Sequence, residues 1–556
     1  MIEESRAALR YRWLYAFIGL AVLVNFSGLW VTIIGPDGAL YASIAKTMAL
    51  NNNFSDLYVE GKDWLDKPHF PFWLAAISFK IFGITTWAYK LPAILMVMVG
   101  ALYTYLFAKS LYNKEIGLWA VLILLTAEHL ILSNTDVRAE PYLTGLIIAS
   151  VYHFYKSLGN KWFWHLVVGS LFAAFAVMTK GIFALIPVFG AIAGHLMMTR
   201  QWSLLFNFRW LIAAVLVLLF MLPELWSLYL QFDAQPDKVV FGRTGVSGLK
   251  FFFWDSQFGR FFNTGPIKKA NGDPFFFLHT TLWAFLPWCI LFYIAVVKLI
   301  RQNIAQPKTA YWYNLGGAAL TFIIFSVSKF QLPHYITIIF PFFAIITAQY
   351  IYQLQPVGKS KVIYWIQVVL ICLMMATIGV LNFYFLPSGV SMVAITFLIL
   401  AVGLIVAVTV NPNLGVYKIY FQSAAVAIFV NLYFNLIYYP ALTTYQADSE
   451  AAFYLNANNP EKLPIVKVVN SYSYAIDFYS KEPLIYYRIG EENKLPERPF
   501  LMFGESEALG QLGAEGLNGE VVKSFKRYPI TRVKGAFLNH QTREQTLGSS
   551  QLILIK

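Results

Sequence analysis

Apolar stretches long enough to cross a bilayer recur along most of this chain, and no other feature constrains its fold as tightly. A hydrocarbon core of about 30 Å calls for roughly 17–25 apolar residues per helix, and each helix satisfies its own backbone hydrogen bonds. Such stretches lie near 13–34, 87–108, 116–133, 141–157, 163–179, 181–199, 209–230, 275–298, 310–327, 333–353, 362–385, 391–410 and 416–438. Composition agrees: 58% of the 556 residues are apolar, only 13% are charged, and the mean hydropathy is +0.58. A soluble chain carries about a quarter charged residues, so a soluble enzyme, a disordered chain and a fibrous repeat are excluded. The expected fold class is a polytopic α-helical membrane protein with about 13 transmembrane helices. Arg6–Arg12 precedes the first stretch without a small-residue cleavage site and reads as part of a retained anchor.

The net charge of +13 fits either a nucleic-acid partner or a membrane protein with cationic cytoplasmic loops. The distribution along the chain decides between them. With a cytoplasmic amino terminus, the inner loops hold Arg6, Arg10, Arg12, Lys109, Lys114, Lys156, Lys161, Arg200, Arg209, Lys298, Arg301, Lys308, Lys359, Lys361 and Lys418, against Glu3, Glu4 and Glu115. The outer loops hold Asp37, Asp56, Glu60, Asp63, Asp66, Asp136, Glu140, Asp233, Asp237, Asp255 and Asp273. This sorting reports topology and implies no nucleic acid. The two cysteines, Cys289 and Cys372, lie in apolar runs and suggest neither a disulfide framework nor a thiolate metal site.

Residues 1–440 thus form the membrane domain, with long outer loops at 35–86 and 231–274. Within the first loop, Phe70–Phe82 is too short to span and fits a helix at the interface. From about Tyr445 the composition becomes soluble. Short strand-like runs at Ile465–Val469, Leu484–Tyr487, Phe500–Phe503 and Gln551–Ile555 alternate with helical ones such as Tyr474–Tyr479. Residues 445–556 therefore read as a small α/β domain on the outer face.

The outer-loop carboxylates sit beside Lys, Arg, Tyr and His, where a lipid-linked substrate would present its head group. Asp37, in GPDGALYASIAKTM, follows the first span at a Pro36–Gly38 turn, so it sits at the membrane surface and can lead or cap the helix behind it. In KDWLDKPHFPFW, Lys67 suits a phosphate ligand or an interfacial snorkelling role, and Asp66 with His69 can offer two ligands to a divalent ion, too few to define a metal site. Asp136, Arg138 and Glu140 crowd a very short loop, where an ion pair is the simplest reading. Lys180 at a tight outer turn reads first as a snorkelling end-cap. Arg260 stands among aromatics, which suits phosphate binding by a planar fork. Lys329, His334 and Tyr335 open the tenth span. No Gly-rich phosphate loop, HExxH or Asp-x-Asp motif is present, so a nucleotide-sugar donor is not indicated.

Taken in order, these segments resemble the polyprenyl-phosphate-sugar glycosyltransferases of the GT-C class, nearest the bacterial aminoarabinose (lipid A) transferases and their protein O-mannosyltransferase relatives. The resemblance covers about residues 10–440. It rests on D-x-x-x-Y-A-x-I-A at Asp37–Ala45 (with Tyr41), DKPH at Asp66–His69, the acidic stretch Asp136–Leu143, TKG at Thr179–Gly181, F-x-R-F at Phe258–Phe261, DPFFF then FLPW around Asp273–Trp288, and SKFQLPHY at Ser328–Tyr335.

The resemblance implies an inverting glycosyltransferase of a bacterial inner membrane, multi-pass, with its active site and carboxy-terminal domain in the periplasm. Its partners would be a sugar on undecaprenyl phosphate and a lipid A, other glycolipid or protein acceptor. The roles it implies are Asp37 at the reaction centre, Glu140 or Asp136 as the second acidic position, and Lys67, Arg260 and Tyr335 around the donor phosphate. Tyr41, Asp66, His69, Arg138, Lys329 and His334 are further cavity candidates. Two departures stand out: Asp66-Lys67-Pro68-His69 replaces the usual Glu-Lys-Pro-Pro, and Asn271-Gly272-Asp273 replaces a His before the Pro-Phe segment. The competing function is a transporter or flippase of lipid-linked sugars, which would concentrate ionisable residues near the bilayer midplane.

Overall fold

The computed structural model describes residues 2–267, 272–305, 311–354, 361–387, 389–470, 473–491, 494–514 and 516–556. Lys308 and Lys359 of the cationic loops, and Asn271, fall outside the described residues. Among the described residues, seven helices are long and apolar enough to cross a membrane, and one bent pair makes an eighth if counted as a single span. The chain is a multi-pass helical membrane protein. Most of the span Pro333–Gln353 is buried against other parts of the protein, whereas Trp202–Phe220 is almost entirely unburied and turns its apolar surface outward.

The amino-terminal half builds most of what matters for function. Helix α1 (Ile2–Ser27) is followed by α2 (Gly35–Asn51), a short hairpin of β1 (Tyr58–Val59) and β2 (Lys62–Asp63), α3 (Phe70–Phe82), α4 (Thr86–Leu111), α5 (Lys114–Leu125), α6 (Glu128–Thr135), α7 (Glu140–Lys156) and α8 (Trp162–Lys180). The apolar stretch 116–133 bends by 54° between α5 and α6. There the Thr126 hydroxyl donates back to Leu122 O (2.6 Å), and the Glu128 amide leaves the helix to donate to Leu286 O (3.1 Å). Helices α4 and α7 approach backbone to backbone: a Cβ on Gly145 would lie 2.1 Å from Met96 O. Small residues permit such contact where lipid supplies no hydrophobic drive between helices.

The carboxy-terminal part contains a five-stranded sheet of β3 (Ile465–Val468), β4 (Leu484–Tyr487), β5 (Phe500–Glu505), β6 (Glu520–Arg527) and β7 (Gly548–Ile555), in the order β4-β3-β5-β7-β6. Strand β3 pairs parallel with β4 and β5, while β7 runs antiparallel to β5 and β6. All four residues of β3 are buried, as a central strand covered on both faces requires. Its Lys467 is neutralised by Glu60 (2.6 Å) and Asp477 (2.5 Å). Strand β6 has no counterpart in the sequence reading, because nearly every side chain of this edge strand is exposed and the apolar alternation is missing.

Candidate functional site

Five backbone features aim side chains at one cavity. Gly35 takes φ +72°, Pro36 follows, and Asp37 occupies the first turn of α2. Proline with an acidic neighbour suits a helix start, where amides lack partners and the dipole favours negative charge. Helix α7 starts the same way with Glu140 and Pro141. Helix α8 stops at Lys180 because Gly181 adopts φ +101°; a Cβ there would meet the Gln257 amide at 2.1 Å. Gln257 Nε2 also donates to Lys180 O at 3.0 Å. Arg260 follows the wide helical turns of Phe251–Gly259, and His334 and Tyr335 open the tight turns of Pro333–Ile339.

The cavity measures about 150 Å³ and is lined by Asp37, Tyr41, Asp66, Lys67, Arg138, Glu140, Lys180, Arg260, His334 and Tyr335, with Leu40, Ala139, Ile267, Phe330 and Leu332. Arg138 bridges two carboxylates, donating to Asp37 Oδ2 (2.6 Å) and to Asp136 Oδ2 (2.9 and 3.1 Å). Asp66 is shared by Lys67 (2.7 Å) and the Arg260 guanidinium. Lys180 pairs with Glu140, which His334 Nε2 approaches to 3.8 Å, and the Lys180 ammonium lies 3.5 Å from the Tyr335 ring centre. Four basic side chains thus face three carboxylates, and among the described residues Arg260 Nε is buried without an acceptor. Such an arrangement favours an incoming anion.

Burial raises the pKa of Asp136, and the adjacent Arg138 only partly offsets this. Burial works against the Arg138 charge, but Asp136 first and Asp37 second outweigh it and hold its pKa above the ordinary value. The Tyr41 hydroxyl is also pushed up by burial, against the pull of Lys67. Arg138 is therefore a fixed cation, and Tyr41 enters the site as a neutral hydroxyl.

A second, apolar compartment of about 80 Å³ opens off this cavity. Its walls include Leu143, Phe183, Phe261, Phe325 and Ile338, and it shares Lys180, Arg260, Phe330 and Tyr335 with the polar cavity. A ligand with a charged head and a hydrocarbon tail finds both chemistries side by side.

Ten of the residues singled out in the sequence meet here, and three do not. His69 is fully buried elsewhere: Nδ1 faces Glu224 Oε1 (3.0 Å), Nε2 faces Ser55 O (2.9 Å), and its amide donates to Glu224 Oε2 (2.9 Å). With both ring nitrogens engaged there and the Asp66 oxygens held by Lys67 and Arg260, these two side chains do not form a metal pair. Among the described residues no three His, Cys, Asp or Glu side chains converge. Lys329 is exposed and outside the cavity lining; its amide, not its ammonium, reaches inward, to Phe261 O (3.1 Å). Asp136 stands behind Arg138 rather than on the wall.

Two residues gained importance. Lys180, whose position suits an end-cap, lines both compartments. Glu224 fixes His69, and its signal was an ionisable residue inside an apolar stretch, which is costly unless it is paired.

The chain shows the fold of the GT-C polyprenyl-phosphate-sugar glycosyltransferases and resembles those enzymes in sequence. The crystal structure of ArnT from Cupriavidus metallidurans bound to undecaprenyl phosphate superposes with a TM-score of 0.74 at 16% identity, covering 98% of each chain. In sequence, the chain is 28% identical over 327 residues to an undecaprenyl phosphate-alpha-4-amino-4-deoxy-L-arabinose arabinosyl transferase of Edwardsiella ictaluri, covering 57% of this chain and 55% of that one. It is 27% identical over 347 residues to an uncharacterized protein of Aquifex aeolicus, covering 61% and 62%. The match therefore spans less than two thirds of either relative's length. The family described as dolichyl-phosphate-mannose-protein mannosyltransferase matches residues 66–226.

Proposed function

We propose that the protein is an inverting glycosyltransferase that moves a sugar from a polyprenyl phosphate, of the undecaprenyl type, to an acceptor on the outer face of a bacterial inner membrane. The carrying observation is the cluster of Lys67, Lys180 and Arg260 around one cavity, with an Arg260 Nε that has no acceptor among the described residues, beside an apolar compartment. In this reading the donor phosphate lies among these cations and Tyr335, and the first isoprene units lie against Phe183, Phe261 and Phe325.

The acceptor oxygen attacks the anomeric carbon from the Asp37 side. The bond from that carbon to the phosphate oxygen breaks, and polyprenyl phosphate leaves with one more negative charge. Preorganised cations stabilise that growing charge without reorganising, worth about 3–4 kcal/mol for each well-aimed group. Where the acceptor is a hydroxyl, Asp37 takes its proton, and Arg138 at 2.6 Å keeps the carboxylate oriented. Where the acceptor is already a phosphate, no base is needed and Asp37 positions it. Lipid A, another glycolipid or a protein are the acceptors in view.

The topology completing this reading has thirteen spans, a cytoplasmic amino terminus, and residues 445–556 as a periplasmic domain; the cationic inner loops support it. The test is a reaction of purified protein with labelled undecaprenyl-phosphate aminopentose and lipid A, with the product's anomeric configuration read by NMR. Transfer with inversion is expected; retention excludes single displacement, and transbilayer movement of the donor without its consumption favours a flippase.

A further inference from the structure

The tail of the chain holds the backbone that leads into Asp37. The Ile33 amide donates to the Tyr479 hydroxyl at 2.9 Å. Ile33 O accepts from Gln446 Nε2 at 3.1 Å, and the Gly35 amide donates to Gln446 Oε1 at 3.0 Å. One amide side chain therefore pairs with two backbone groups as a neighbouring strand would, at the segment just before α2. Gln446 is buried and steadied by Ser449 Oγ (3.1 Å), and the Tyr479 hydroxyl also meets Thr86 Oγ1 (3.0 Å).

The same part of the chain grips the loop at two further points. Lys46, on α2, donates to the carbonyls of Asp477 (2.7 Å), Phe478 (3.2 Å) and Ser480 (2.6 Å). Lys467 reaches Glu60 beside the β1–β2 hairpin. Neither Gln446 nor Tyr479 lines the polar cavity, so whatever they contribute passes through the backbone.

We propose that Gln446 and Tyr479 are positioning residues that fix the start of α2 and hold Asp37 at its distance from Arg138 and the donor phosphate. The inference rests on the glycosyl-transfer reading and assigns the carboxy-terminal part a role in it. Reacting groups must be held to within a fraction of an ångström, and a misplacement of about 1 Å can cost about 10²-fold.

The experiment uses the full chain in nanodiscs as wild type, Gln446→Leu, Tyr479→Phe, the double variant and Gln446→Glu. Tyr479→Phe keeps the ring that packs on Phe453 and Phe478 and removes only the hydroxyl. Two quantities are read: kcat and KM with labelled undecaprenyl-phosphate aminopentose, and hydrogen exchange of the Ile33 and Gly35 amides. The double variant is expected to lose about 10-fold or more in kcat while KM for the donor stays within about twofold, because the phosphate-binding cations are untouched. Both amides should exchange faster. Gln446→Glu, which still accepts from Gly35 but cannot donate to Ile33, should fall between wild type and Gln446→Leu.

Unchanged kcat with faster exchange overturns the positioning role, and unchanged exchange overturns the clamp itself. Parallel changes in kcat and KM with a general loss of folded protein mean a structural role only. A wild type inert with every donor refutes the transfer reading instead, and exchange at Ile33 and Gly35 then decides the clamp alone.

Discussion

Lys180 stacks on Tyr335, its ammonium 3.5 Å from the ring centre, while pairing with a Glu140 carboxylate that is only 2% exposed. Lys180→Met removes a cation from both compartments and strands Glu140. Breaking a buried pair from one side costs about 3–5 kcal/mol. We expect a lower thermal midpoint and about a 10²-fold loss in kcat/KM for donor. Adding Glu140→Gln should restore the midpoint and leave the activity low, as calorimetry and a transfer assay will show.

In the proposed reaction Arg260, steadied by Asp66, offers the donor phosphate a planar fork. Arg260→Ala should weaken binding of undecaprenyl phosphate by about 10- to 100-fold, the value of a charge-assisted hydrogen bond. Arg260→Lys should recover only part of this, since a point charge cannot replace the fork. Titration of the purified variants with undecaprenyl phosphate measures both.

Gly35 has φ +72°, and a Cβ on it would lie 2.3 Å from the Thr531 methyl. Gly35→Ala therefore adds backbone strain to a steric clash, about 1–3 kcal/mol for the strain alone. Thr531→Ala should relieve the clash and not the strain, so the double variant should regain part of the thermal midpoint.

Burial raises the Asp448 carboxyl to about 6, against the pull of Lys467. Its folded value exceeds its unfolded one, so its contribution to stability is fully present below about pH 4 and is lost as pH rises through 6. Asp448→Asn keeps an acceptor for Ser473 Oγ and carries no charge. The variant should be more stable than wild type by about 1–3 kcal/mol at pH 7.5, with the gap closing towards pH 4; denaturant unfolding at the two pH values checks this.

Much of this molecule was legible in its sequence, because membrane helices and interfacial carboxylates leave local marks. Phe70–Phe82 is a 13-residue helix at the bounds its apolar run suggested; the runs at 484, 500 and 551 lie within β4, β5 and β7, and the run at 465 overshoots β3 by Val469 alone. Asp37, Lys67, Glu140, Arg260 and Tyr335 are far apart in the chain and meet in one cavity. What stayed hidden depends on long-range partners. His69 reads as one of two possible ligands beside Asp66, too few for a metal site, because the partner it meets in the fold, Glu224, is 155 residues away. Lys180 looked like an end-cap because a helix end carries no local sign of the Glu140 it faces. Gln446 gave no signal, since its function is to pair with backbone.

In the proposed reaction polyprenyl-phosphate sugar is consumed at the cavity of Asp37, Lys67 and Arg260. The most direct measurement is transfer of labelled sugar from undecaprenyl phosphate to a lipid A pool by wild type, Asp37→Asn and Lys67→Ala proteins of equal thermal stability. Transfer by wild type and a loss of at least about 10²-fold in each variant are expected. Transfer that survives both substitutions would contradict the proposed reaction.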